Sequence, residues 1–127
     1  MSRDQIHTER APAAIGPYSQ AMRCGNIVFL SGQIPLDPAS GDIVDGDFAT
    51  QVRRAFDNLK AVCAASGGDL NKIARLGLYL TDLANFAEVN AVMAEYFSAP
   101  YPARSTIEVT GLPKGAQFEV DAILVID

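Results

Sequence analysis

The 127-residue sequence contains no tryptophan, one histidine and two cysteines, and it has no long apolar run. Each shortage removes a class of chemistry. A single histidine, His7, cannot build a His-rich zinc site, an HExxH helix or a histidine pair for ribonuclease-type acid–base work within one subunit. Cys24 and Cys63 stand too far apart for a CxxC redox or metal motif, and two thiols do not make a secreted disulfide framework; buried reduced thiols are expected. The longest apolar stretches, such as residues 61–65 and 122–126, fall well short of the ~18 residues of a membrane span. The N-terminal stretch has no apolar signal-peptide core, so the cytoplasm is the expected location. Cations are outnumbered as well, ten Lys and Arg against fifteen Asp and Glu, which gives a net charge of −5. With no dense basic cluster to neutralise phosphates, nucleic acid is not an expected partner, and neither is a membrane.

What remains, 49% hydrophobic and 20% charged residues, is the profile of one globular domain spanning residues 1–127. A chain of this size buries about two thirds of its unfolded surface and needs neither disulfide nor metal to hold together. Residues 17–23 and 27–31 read as two antiparallel strands around a Gly25-Asn26 turn. Residues 35–47, with four aspartates, two glycines, two prolines and no cation, read as a surface loop whose spacing does not fit an EF-hand. From Phe48 the period becomes helical, with Val52, Ala55, Phe56, Leu59, Val62 and Cys63 on one face, Asp47 as cap and Gly67-Gly68 as terminator. Residues 74–80 alternate as a strand. A second helix is expected over residues 83–97, capped by Asp82 or Asn85, with Phe86, Val89, Met93, Tyr96 and Phe97 as its apolar stripe. Pro100 and Pro102 hold the chain extended and deliver Arg104 to the head of a strand over 105–109. The last strand, 117–126, puts Phe118, Val120, Ala122 and Leu124 on one face and Glu119, Asp121, Ile123 and Val125 on the other. The order ββαβαββ implies an α+β fold with a mixed sheet. Apolar residues on both faces of the last strand imply that oligomerisation covers the face the helices leave open. On physical grounds Arg104 and Glu119 are the two charges that stand out.

Four blocks then appear in order along nearly the whole chain: Ala14-Ile15-Gly16-Pro17-Tyr18-Ser19-Gln20-Ala21, Ser31-Gly32-Gln33-Ile34-Pro35, Pro102-Ala103-Arg104-Ser105 and Leu112-Pro113-Lys114-Gly115-Ala116, followed by Glu119. Together they resemble the signature of the RidA/YjgF family. The resemblance implies a chorismate mutase-like fold, a mixed six-stranded sheet with two helices on one face, and a homotrimer with its sheets packed inside and a pocket at each subunit interface. It also implies hydrolytic deamination of reactive 2-enamine and 2-imine acids, of the 2-aminoacrylate and 2-iminopropionate type, to 2-keto acid and ammonia without cofactor or metal.

Position by position, the resemblance gives Arg104 the substrate carboxylate, which a planar guanidinium grips through two parallel hydrogen bonds. It gives Glu119 the attacking water. Tyr18, Ser31, Gly32, Phe86, Asn90 and Thr106 are the implied substrate-binding residues. Thr106 stands where many family deaminases carry cysteine, so neither Cys24 nor Cys63 is promoted to nucleophile. The family also holds members read as non-catalytic binders of small carboxylates, and others as endoribonucleases or translation inhibitors. Retention of both Arg104 and Glu119 favours the enzyme, because a binder needs the arginine but not a water-activating carboxylate.

Overall fold

Alternating and helical apolar patterns sort the chain into six strands and two helices. The computed structural model describes residues 2–127. In chain order these are β1 (Arg3–Ile6), β2 (Ala21–Cys24), β3 (Ile27–Gln33), α1 (Phe48–Ala65), β4 (Ile73–Leu80), α2 (Phe86–Tyr96), β5 (Ala103–Glu108) and β6 (Phe118–Val125). The strands form one mixed sheet in the order β1-β2-β3-β6-β4-β5. Only β4 and β5 pair in parallel, as they must when α2 is the crossover between them.

The expected mixed six-stranded sheet with two helices is therefore present. The pattern ββαβαββ lacks one of its strands: β1 carries a single apolar residue, Ile6, and its partner β2 recruits it through backbone pairing from Arg3↔Cys24 to Ile6↔Ala21. Residues 17–20, expected in a strand, are irregular, and β2 begins only at Ala21. Across the β2–β3 turn the positive φ falls on Gly25 alone, at 64°.

Helix α1 begins where Asp47 accepts a hydrogen bond from the Thr50 N–H at 2.9 Å. It ends in a Schellman motif, with Gly68 N–H bonding Cys63 C=O and Gly67, at φ 89°, bonding Ala64 C=O. The second helix differs from expectation at its start. Residues Leu83–Asn85 form a 3-10 turn capped by Asp82, whose side chain accepts from Ala84 N–H, while Asn85 makes no capping bond. The buried stripe of α2 is Val89, Val92 and Met93, joined by Phe97 just beyond it. Phe86, expected on that stripe, is 40% exposed at the first position of the helix, where its ring lies against the Arg104 guanidinium.

Both helices cover one face of the sheet. Leu76, Leu78 and Leu80 of β4 and Phe118, Val120 and Leu124 of β6 are fully buried beneath them, each large side chain stabilising the fold by roughly 1.5–3 kcal/mol relative to exposure. Phe56 of α1 anchors the layer, its ring within 6 Å of those of Tyr96, Phe97 and Phe118. The opposite face has no helix. There Ile27, Phe29, Ile107 and Val125 are exposed, around a polar centre where Tyr79 donates to Asp121 at 2.9 Å and Arg75 to Ser105 at 3.0 Å. Cys63 is buried, and desolvation pushes its thiol pKa up to about 12; Cys24, expected to be buried too, is only half-buried on a strand near the sheet edge. Among the described residues no helix is long and apolar enough to cross a membrane, and no three His, Cys, Asp or Glu side chains are placed to hold a metal.

Candidate functional site

Strand alternation decides where the eight expected site residues point. In β6, Phe118 and Val120 face the helices, so Glu119 between them faces the open side. In β5, Arg104 pairs with Leu76 and Thr106 with Leu78, both buried under the helices, so these two lie on the helix side. The structure thus gathers the expected residues into two groups on opposite faces.

The first group surrounds Glu119. A cleft of about 350 Å³ is lined by Tyr18, Ser31, Gly32 and Glu119, with Ile34 and Pro113 among its apolar walls. Glu119 comes from the middle of the sheet, and Ser31-Gly32 from the end of neighbouring β3, where the β3–β6 register shifts between Leu30 and Gln33. Glu119 is half-buried and, among the described residues, accepts no hydrogen bond. Its carboxyl pKa is raised above the ordinary value, first by burial and then by the charge of Asp121 on the same strand face. The Ser31 hydroxyl donates to the Ser19 carbonyl at 2.6 Å, so towards a ligand it is left as an acceptor. Tyr18, 49% exposed, precedes β2; its hydroxyl oxygen accepts from the Ile15 N–H at 3.4 Å.

The second group surrounds Arg104. Its guanidinium carbon sits 5.3 Å from the centre of the Phe86 ring, and Nη1 meets the Met93 sulfur at 3.4 Å. Among the described residues no carboxylate pairs with it. Asn90, Met93, Tyr101 and Arg104 line a second cavity of about 320 Å³ between α2 and the edge strand β5. The Thr106 hydroxyl, two residues further along β5, is the one buried side-chain oxygen or nitrogen among the described residues that has no hydrogen-bond partner. Phe86 and Asn90 therefore belong with Arg104, whereas Tyr18, Ser31 and Gly32 belong with Glu119.

Sequence reasoning missed Met93 and Tyr101 beside the arginine, and Gln20, Ile34 and Pro113 in the cleft wall. Met93 looked like core because it lies on the helical stripe, and it is core on one side and cavity wall on the other. For Gln20, Ile34 and Pro113 the only signal was their place inside the quoted blocks.

Two helices on one face of a mixed sheet, with an arginine at one edge and a carboxylate on the bare face that are unpaired among the described residues, define a small α+β protein with two separate polar sites. Comparison with known proteins supplies the family. The profile of the family described as Endoribonuclease L-PSP matches residues 8–126, and the chain belongs to this family, the RidA/YjgF proteins. It is 52% identical over 127 residues to "Protein DfrA" of Myxococcus xanthus, covering 98% of this chain and 97% of that one. It is 42% identical over 122 residues to a 2-iminobutanoate/2-iminopropanoate deaminase of Dermatophagoides farinae, covering 96% of this chain and 95% of the relative. Among solved structures, RidA from an Antarctic Psychrobacter superposes with a TM-score of 0.94 at 45% identity, covering 97% of this chain and 99% of that one.

Proposed function

We propose that the protein hydrolyses reactive 2-enamine and 2-imine acids to 2-keto acids and ammonia, at a site assembled between subunits. The observation that carries this reading is Glu119, a half-buried carboxylate with raised proton affinity and no protein partner, open to a cleft. A carboxylate so placed costs stability, and a water-activating base is a reason to retain it. Relatives named as imine deaminases at about this level of identity support the same chemistry.

Arg104 and Glu119 lie on opposite faces of one sheet, so they meet only if a second copy brings its β5 edge to the cleft. The exposed row of Ile27, Phe29, Ile107 and Val125 is the apolar surface such packing would bury. The proposed assembly is a homotrimer with one pocket per interface.

In that pocket Arg104 holds the substrate carboxylate by a bidentate pair, exchanging its soft contact with Met93 for a charge-assisted one. The enamine takes a proton from solvent at its terminal carbon to become the protonated imine, an iminium. Water held by Glu119 then attacks the imine carbon, forming the C–O bond as the C=N π pair moves to nitrogen and the water proton passes to the Glu119 carboxylate. Glu119 returns a proton to nitrogen, the C–N bond breaks with its electron pair leaving on ammonia, and loss of the hydroxyl proton gives the keto acid. These imines also hydrolyse unaided, so positioning and one polarised water are sufficient. A ribonuclease reading, suggested by the family's description, would need acid–base groups that one exposed histidine and a net charge of −5 do not supply.

The test generates 2-aminoacrylate or another 2-imino acid in situ with an amino-acid dehydratase or oxidase and follows keto acid or ammonia release. The wild type is expected to accelerate release, with Arg104→Ala and Glu119→Ala losing the acceleration. No acceleration over buffer across several imines overturns the reading.

A further inference from the structure

Among the described residues four polar ones are buried: Gln20, Gln33, Asn58 and Ser66. A polar side chain in the interior is costly unless its hydrogen bonds are made, so the partners reveal what each residue holds. Ser66 holds only its own helix, its hydroxyl donating to the Val62 carbonyl at 2.7 Å. Gln20 and Asn58 bond to distant stretches, and both reach chain that walls the Glu119 cleft.

Gln20, 2% exposed, places its amide against the irregular stretch that follows β1. Its oxygen accepts from Thr8 N–H at 2.7 Å, and its nitrogen faces the carbonyls of Thr8 at 3.0 Å, Pro12 at 2.8 Å and Ala11 at 3.4 Å. One side chain thereby does for residues 8–12 what a strand ladder does elsewhere. The stretch runs directly into Pro12, Ala13 and Ile15, which line the cleft. Asn58, with no exposed surface, lies on the apolar stripe of α1. Its nitrogen donates to the carbonyls of Leu36 at 2.9 Å and Ile34 at 3.3 Å, while its oxygen accepts from Arg54 Nη2 at 2.7 Å. Ile34 and Leu36 also line the cleft, and they pack with Ala116 in a small apolar cluster separate from the main core.

Both walls are therefore irregular backbone, each held by a single buried amide, one from Gln20 immediately ahead of β2 and the other from Asn58 of α1. We infer that Gln20 and Asn58 are positioning residues that fix the two irregular walls of the Glu119 cleft and so set its grip on substrate. Apolar packing alone lets such segments slide, whereas hydrogen bonds to named carbonyls fix direction and distance, and displacement of a site wall by 1 Å is costly to catalysis. The effect on substrate rests on the deaminase reading above; the tethering does not.

The test uses the full chain in three variants, Gln20→Met, Asn58→Leu and Ser66→Ala, the last removing a buried hydrogen bond remote from the cleft. Hydrogen exchange read by mass spectrometry is expected to quicken at least about tenfold over residues 8–16 in Q20M and over residues 34–43 in N58L, in neither stretch for S66A. In the coupled deaminase assay, Q20M and N58L are expected to raise KM about tenfold with a smaller change in kcat, while S66A keeps the wild-type KM. A role confined to stability would lower the active fraction, and so the apparent kcat, and leave KM alone. The inference is overturned if KM is unchanged in both cleft variants, or if exchange quickens evenly along the chain, α1 included. If wild type releases no keto acid, the deaminase reading has failed, and the exchange pattern alone then decides the tethering role. Should Q20M not fold, Gln20→Asn, which shortens the reach by one methylene, carries the same comparison.

Discussion

The Gly32 backbone runs so close beneath the Glu119 carboxylate that a Cβ at position 32 would collide with Oε2 and stand 2.8 Å from Cδ. Glycine is required there for room, not for an unusual φ. Gly32→Ala is therefore expected to push the carboxylate aside and lower kcat/KM by about 100-fold in the coupled imine assay. Because the loss acts through Glu119, it should fall on kcat rather than on KM, and a loss confined to KM would sink the relationship.

Arg104 and Glu119 lie on opposite sheet faces of one chain, and the interface reading makes a quantitative demand. Neither R104A nor E119A alone should be active. Refolded together in equal amounts, they should recover about a quarter of wild-type activity, since one pocket in four would combine an intact arginine with an intact neighbouring carboxylate. Mixed samples as inactive as the parents would overturn the inter-subunit site.

Glu119 also sets a pH dependence. Its carboxyl binds protons more tightly folded than unfolded, because burial and Asp121 disfavour the charge. Between the unfolded value near 4.5 and the raised folded value, the native state thus holds more protons, and stability falls as pH rises through that window. Glu119→Gln removes the cost. Thermal melts at neutral pH should show E119Q above wild type, with the difference vanishing as pH falls below the unfolded value.

Thr106 gives a test that separates fold from ligand. Its hydroxyl is buried without a partner, so Thr106→Val, nearly the same shape, should match or exceed wild-type stability by up to about 1 kcal/mol in urea unfolding. If the hydroxyl serves substrate, KM should rise several-fold in the same variant. A destabilised T106V with unchanged KM would mean that the hydroxyl serves the fold.

Cys63, with its thiol pKa raised to about 12 by burial, should resist alkylation in the native protein and react only on unfolding. Mass spectrometry after iodoacetamide treatment at neutral pH reads this directly, and modification of Cys63 in native protein would contradict the burial.

The sequence by itself determined most of the elements. Apolar positions at the spacing of Val52, Phe56, Leu59 and Cys63 have no solution but a helix with one buried face, and alternation from Phe118 to Leu124 has none but a strand. Asp47 and the Gly67-Gly68 pair set the ends of α1 through local backbone chemistry. The four blocks, with Arg104 and Glu119, were legible for the same reason, as fixed residue types in a fixed order.

Tertiary structure alone decided what depends on partners distant in the chain. The strand β1 exists because β2 offers a free edge, not because Arg3, Asp4 and Gln5 favour extension. Phe86 stays out of the core at the first position of α2, with its ring against Arg104 of β5, a pairing that periodicity does not encode. Only the sheet could show that Arg104 and Glu119 point to opposite sides, since that follows from the register of β5 on β4 and of β4 on β6. The partners of the buried amides Gln20 and Asn58 belong to the same category. A hydrogen bond to a backbone carbonyl leaves no mark on the residue that accepts it, so the tethers of the cleft become visible only when the chain is folded.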